Sequence, residues 1–332
     1  MTLYPSDIKK TAGQKIMAGF DGTHFNSDIE YLIREIHVGG LILFSRNIES
    51  PEKLKSLCGK IMECSRKNGL PPVFISTDQE GGPVARLKHP FTVFPGNPAI
   101  KTAAQADHYA HTVSRELKSV GINMNLAPVL DVVGDNTDSV MKDRAFEKDS
   151  ATVARLGTRV ITGMQQNGVM AVAKHFPGIG RSSVDSHFSL PVVDADRQSL
   201  FAEDLPPFQE AVKADVAGIM PGHILYPGLD PEWQASLSEV IIRDILREKL
   251  QYNGLVITDD LDMKAITRDI ETCAERIIRS ETDIALICRQ GPDIEKMFKA
   301  LCRLMESNAG YERLCRASAS RILSVKKRYL EF

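Results

Sequence analysis

The chain has 332 residues, of which 43% are hydrophobic and 25% charged, and its formal charge is -2. That balance is ordinary for a soluble globular protein and leaves no basic excess for nucleic acid. No apolar run approaches the ~20 residues needed to cross a bilayer, and the first residues lack the charged start and apolar stretch of a secretory leader. A neutral small molecule or a sugar is therefore the default partner, with no nucleic acid, no membrane and no cofactor expected.

Along the chain, short apolar runs occur at residues 15–20, 39–44, 73–77, 122–133, 170–174, 217–220, 254–258 and 283–288. Helix-like amphipathic stretches separate most of them, for example 51–67, 103–119, 151–167 and 237–249. Alternating strands and helices imply a parallel sheet, because parallel neighbours need crossover connections. Continuous rather than alternating apolar runs imply strands buried on both faces. Eight such units in one chain of this length predict α/β architecture in the form of a single (β/α)8 barrel of the TIM type. No G-x-G-x-x-G follows the first strand, which argues against a dinucleotide fold. The stretch 300–328 is basic and helical in pattern and is expected to close the barrel from outside, and no linker divides residues 1–332 into more than one domain.

The six cysteines are scattered without CxxC spacing. They read as reduced thiols of a cytoplasmic protein, not as a disulfide framework or a zinc site. No H-x-H pair or H-E-x-x-H helix supports a metal either.

In a barrel the functional face is built from the carboxyl ends of the strands. Polar residues gather at those ends. The third strand runs into Asp78-Gln79-Glu80-Gly81-Gly82 with Arg86 behind it, and the fourth carries Asn125 and ends at Asp131, with Arg144 in the following loop. Lys174-His175 closes the fifth, whose loop carries Asp185-Ser186-His187, while His223 ends the sixth and Asp259-Asp260 the seventh. Buried charges are costly unless paired, so this concentration predicts a site more readily than a set of structural ion pairs. Asp259, at the tip of Leu255-Val256-Ile257-Thr258, is placed to attack an anomeric carbon as a nucleophile. Asp260 should turn away on the strand and serve the loop. Histidine is the side chain most easily poised to donate a proton near neutral pH, and Asp185 two residues before His187 could fix its tautomer. Trp233, the lone tryptophan, could stack on a sugar ring or simply pack.

The motif KHFPGIGRSSVDSHFSLP at 174–191 strongly resembles the KHFPGHG…DSH…LP signature of family 3 β-N-acetylglucosaminidases. LILFSRNI, STDQEGGPVARL, INMNLAPVLDV, DRAF, MPGHILYP and GLVITDDLDMKAI follow the same family in order along nearly the whole chain. The resemblance implies Asp259 as nucleophile, His187 as acid/base with Asp185 as its partner, and Asp78, Arg86, Arg144, Lys174 and His175 around a terminal N-acetylglucosamine. His223 is grouped with these sugar-binding residues. It further implies a monomeric cytoplasmic enzyme that removes N-acetylglucosamine from peptidoglycan turnover products such as anhydro-muropeptides. A family 3 relative of another sugar specificity, or a sugar-binding protein with weak hydrolysis, are the alternatives. Two departures stand beside the dyad: Ile179 replaces the family's usual histidine, and Arg181 replaces a small or acidic residue. Arg181 is expected to compete for Asp185.

Overall fold

The structure is a computed structural model that describes residues 7–134 and 138–330. A strand falls on each of the eight apolar runs, the fifth and sixth extending slightly past theirs: β1 (Ile16–Gly19), β2 (Gly40–Leu43), β3 (Phe74–Thr77), β4 (Met124–Asn125), β5 (Met170–Phe176), β6 (Gly218–Pro221), β7 (Leu255–Val256) and β8 (Ala285–Ile287). They form one parallel sheet in the order β8-β1-β2-β3-β4-β5-β6-β7. The sheet is curled, and beyond the ladders one isolated parallel bridge joins Ile257 to Ile284, with the Thr258 amide donating to the Ile284 carbonyl at 2.9 Å.

Side chains alternate across each strand, and both sets are buried. Met17, Ile42, Phe74, Met124, Val172 and Leu286 pack with one another on the concave side. Ile16, Leu41, Ile75, Ala171, Ile219 and Ala285 face outward into a second cluster with the helices. The expected helices form because their ends are capped. Ser50 accepts the Lys53 amide ahead of Pro51–Lys67, Thr102 and Gln105 cap Ala103–Ser119 reciprocally, and Asp149 accepts the Thr152 amide ahead of Ser150–Gln166. The fourth predicted helix is a π-helical segment, Val240–Lys249.

Two expectations need correction. Regular pairing of the fourth strand stops at Asn125, since Pro128 offers no amide to the ladder. The chain nevertheless continues beside β5, with Val172 donating to the Ala127 carbonyl and Leu130 to that of Lys174, so Asp131 still reaches the strand end. The stretch 300–328 is helical as expected, in two helices, Pro292–Ser307 and Ala309–Tyr329, that meet at Asn308, whose side chain caps the second; its place outside the barrel is what needs correcting. The second helix does not lie only outside. Ile322 joins the concave cluster, and Lys326, fully buried, sets its ammonium 4.8 Å from the Phe74 ring centroid and donates to Gln14 Oε1 at 2.8 Å. This helix plugs the amino-terminal end of the sheet and leaves the carboxyl end open.

Candidate active site

The open end is a cleft of about 490 Å³ whose lining includes Asp78, Glu80, Arg86, Arg144, Lys174, His175, Asp185, His187 and Asp259. All of these lie at or beyond the carboxyl ends of strands, as barrel construction requires. Eight of the nine sequence-predicted site residues are therefore brought together. The exception is His223, which is buried beneath the cleft with both ring nitrogens engaged, Nδ1 by Ser236 Oγ at 2.6 Å and Nε2 by the Asp260 carbonyl at 2.8 Å. Burial holds its pKa down, and with both nitrogens engaged it offers no free donor to a sugar.

One wall is an ion network. Lys174 Nζ lies 2.8 Å from Asp78 Oδ1 and 2.7 Å from Glu80 Oε1. Arg86 Nη2 reaches Asp78 Oδ2 at 3.1 Å, and Arg144 grips both oxygens of Glu80 at 2.9 and 2.8 Å. Burial opposes ionisation of Asp78 and Glu80, but Lys174 with Arg86, and Lys174 with Arg144, outweigh it and hold both carboxyls below their ordinary range. The same pairing raises Lys174 against its own burial. The wall is thus fully charged at neutral pH, with planar guanidinium donors and carboxylate acceptors suited to hydroxyl groups. Glu80 was passed over in the sequence. Its position in a Gly-rich turn after a strand is visible in the sequence, but the partners that give it a role, Lys174 on β5 and Arg144 on a loop, lie far along the chain.

His175 is oriented by Asp131, whose Oδ2 meets ring Nδ1 at 2.8 Å. Asp131 Oδ1 accepts the Ile179 amide at 2.8 Å and that of His175 at 3.3 Å, so this one buried carboxylate fixes both the histidine and the start of the following loop.

Asp259 stands at the tip of the seventh strand. Its Oδ1 accepts the Asp260 amide at 2.8 Å, and among the described residues its other oxygen has no hydrogen-bond partner. Burial favours the neutral acid, yet His223, His175, the Asp260 amide and Lys174 together keep the pKa low. A carboxylate that is ionised, partly desolvated and free at one oxygen is a competent nucleophile. Asp260 turns to the loop as expected, its Oδ1 accepting the Asp262 and Cys288 amides at 3.0 Å each, while burial raises its pKa.

Across the cleft, Asp185 Oδ1 lies 2.7 Å from His187 Nδ1 and accepts the His187 amide at 2.9 Å. A carboxylate can only accept, so the proton sits on Nδ1 and Nε2 is left to exchange a proton with a ligand. Burial pushes Asp185 upward, but its bonds to His187 win and keep it ionised.

The expected competition from Arg181 does not occur. Arg181 points the other way, with Nε 2.8 Å from Asp204 Oδ2 and Nη2 2.6 Å from Glu203 Oε2, pinning the base of the loop to the helical segment behind it. Gly180 packs so closely on that base that a Cβ would fall 2.0 Å from the Val132 carbonyl oxygen. Tyr226 adds a third tether through its hydroxyl to the Gly178 carbonyl at 2.6 Å. Ile179 is buried among apolar side chains, which accounts for the loss of a polar residue there. Trp233 is also settled: it packs between Arg268 and Arg276, whose guanidinium carbons lie 5.1 and 4.1 Å from its ring, away from the cleft lining.

A curled parallel sheet with an ionised carboxylate and an oriented histidine in the cleft at its open end is an arrangement that glycoside hydrolysis can use. The chain belongs to glycosyl hydrolase family 3: residues 8–325 match the profile described as the glycosyl hydrolase family 3 N terminal domain. It is 34% identical over 283 residues to a protein of Idiomarina loihiensis named beta-hexosaminidase, covering 82% of this chain and 83% of that one. A beta-hexosaminidase of Pseudomonas aeruginosa is 32% identical over 87% of this chain and 86% of its own length. Among solved structures, a family 3 beta-N-acetylglucosaminidase from Paenibacillus sp. str. FPU-7 superposes with a TM-score of 0.92 at 37% identity. That match covers 98% of this chain, which spans only 63% of the Paenibacillus protein's length. NagZ from Neisseria gonorrhoeae superposes at 0.75 with 26% identity, over 92% of this chain and 97% of its own.

Proposed function

We propose that the protein is a retaining exo-β-N-acetylglucosaminidase built as one closed (β/α)8 barrel domain. It acts as a monomer in the cytoplasm on N-acetylglucosaminides from peptidoglycan turnover. The observation that carries the chemistry is the pairing, in one cleft, of an ionised Asp259 with a free oxygen and a His187 oriented by Asp185 at 2.7 Å. The edge contact between Ile257 and Ile284 supports closure of the barrel, and six free cysteines fit a reducing compartment. Among the described residues no helix is long and apolar enough to cross a membrane.

In the first step the free Asp259 oxygen attacks the anomeric carbon while the glycosidic carbon–oxygen bond breaks. His187 enters this step as an imidazolium whose Nε2 proton passes to the departing oxygen, leaving a neutral ring with its Nδ1 proton still bonded to Asp185, whose carboxylate stabilises the imidazolium before the transfer. In the second step water attacks the same carbon, its proton goes to His187 Nε2, and the ester bond to Asp259 breaks to restore the carboxylate. Asp78, Arg86, Arg144, Lys174 and His175 hold the hydroxyls and amide of the departing sugar's partner, the ring that becomes esterified.

The test is release of chromophore from an aryl β-N-acetylglucosaminide, compared with other aryl glycosides. Asp259→Ala should abolish turnover, and His187→Ala should slow an unactivated disaccharide far more than the activated aryl substrate, whose leaving group needs little protonation. Substantial turnover by the Asp259 variant, or preference for another sugar, would overturn the reading.

A further inference from the structure

Large apolar side chains are mostly withdrawn from solvent in this protein. Among the described residues, five are prominently exposed, and three of those, Val184, Phe188 and Val192, belong to the single loop that carries Asp185 and His187. Scattered exposed apolar residues need no explanation, whereas a cluster beside a cleft does. Phe188 is the extreme case at 72% exposed, and it directly follows His187. Lys264 Nζ lies 6.0 Å from the centroid of its ring. The segment bearing Lys264 is joined to the loop, because the Ala265 amide donates to the Ser186 carbonyl at 3.3 Å, and Met263 and Ser186 both line the cleft. Lys264 is itself exposed, and no carboxylate lies within ion-pair distance of it among the described residues.

The chemistry of the site says what would meet these two side chains. A proton donor to the glycosidic oxygen must sit beside the leaving group, not beside the ring esterified by Asp259. Phe188 and Lys264 stand outside the cleft lining, each next in sequence to a lining residue, His187 and Met263, which puts them at the rim on the proton donor's side. The charged wall of Asp78, Glu80, Lys174, Arg86 and Arg144 lies on other strand ends and is already committed to the other ring.

We propose that Phe188 and Lys264 form the leaving-group subsite: the phenyl ring stacks on the C–H face of the departing sugar, and the ammonium selects a departing sugar that carries a carboxylate. This deepens the glucosaminidase reading and rests on it. An exposed aromatic ring costs little to keep if substrate covers it during turnover, and it supplies contact area with few rotatable bonds. The lysine adds a point charge at a rim position, where its contribution is modest and sensitive to salt.

The experiment compares three substrates of the intact protein. They are N-acetyl-β-glucosaminyl fluoride, whose leaving group is a single atom; N,N′-diacetylchitobiose, whose leaving sugar is neutral; and the corresponding disaccharide ending in N-acetylmuramic acid, whose leaving sugar carries a carboxylate. Phe188→Ala should lower the kcat/KM of both disaccharides relative to the fluoride by about three- to tenfold, the range expected for a lost aromatic contact. Lys264→Ala should lower only the acidic disaccharide relative to the neutral one, by about two- to fivefold, and raising the salt concentration should erase the difference. The wild-type protein should prefer the acidic disaccharide. If the fluoride is hydrolysed but neither ratio moves, the subsite is refuted while the enzyme reading survives. Loss of the ratio with Lys264→Ala on both disaccharides equally would refute the charge selection. Failure of the wild type to hydrolyse the fluoride at all would overturn both.

Discussion

Replacing Glu80 with Gln tests whether the charged wall is held together as the geometry implies. The substitution keeps shape and removes one charge from a carboxylate that faces Arg144 at 2.8 Å and Lys174 at 2.7 Å, with side-chain exposures of 17% and 4% for the two cations. Removing one partner of a buried pair costs roughly 3–5 kcal/mol, because the remaining charge is stranded. Asp78 still faces Lys174, so the lower end, about 3 kcal/mol, is expected. An unfolding entropy of about 2.1 cal/mol/K per residue amounts to roughly 0.7 kcal/mol/K for a chain of this length, which converts that loss to a Tm about 4 °C lower. Since the Glu80 pKa is depressed in the fold, its contribution is complete above the ordinary carboxylate range and is lost as pH falls through the folded value. Scanning calorimetry should therefore show the full gap between wild type and variant at pH 7, narrowing under acid. A gap below 1 °C at pH 7, or one that stays constant far into acid, would refute the reasoning.

Three further outcomes are expected. Arg181→Ala should cut turnover of an unactivated disaccharide more than that of an aryl substrate, since the loop base loses its tie to Asp204 and Glu203; equal losses would make the tie merely structural. Burial raises the Asp204 pKa to about 6, so stability is greatest below the unfolded value and falls as pH rises through the folded one. The shift of about two units corresponds to roughly 3 kcal/mol, and Asp204→Asn should flatten the wild-type decline in Tm between about pH 4 and 6. Lys326 has its pKa pushed well down by burial, so Lys326→Met should leave Tm unchanged or raise it at pH 7, and a large drop would show that its bond to Gln14 outweighs desolvation.

The sequence made the strands easy to read and their partners hard. Continuous apolar runs such as 170–174 can only be doubly buried strands, and the polar residues that follow them can only project from strand tips. That logic put Asp259, Lys174 and His175 at the carboxyl face of the sheet, where the structure has them lining the cleft. It failed where a residue's meaning depends on a contact far along the chain. His223 sits at a strand end like the others, yet Ser236 and the Asp260 carbonyl claim its ring. Arg181 was nearer in sequence to Asp185 than to Asp204, and the fold reversed that preference. Asn308 is an ordinary residue in a helical pattern until its side chain caps the next helix.

The pairing of β1 with β8 has a bearing on how the protein reaches its folded state. During synthesis β1 emerges early and can join β2 at once, but its other edge has no mate until the eighth strand leaves the ribosome. The helix carrying Ile322 and Lys326, which fills the end of the sheet, comes later still. An unpaired strand edge is a template for wrong partners, and long-range pairing is slow. The nascent chain therefore spends most of its translation with an open apolar edge at Ile16–Gly19. Truncation after the seventh strand should yield aggregates, because the first strand would never gain its eighth-strand neighbour.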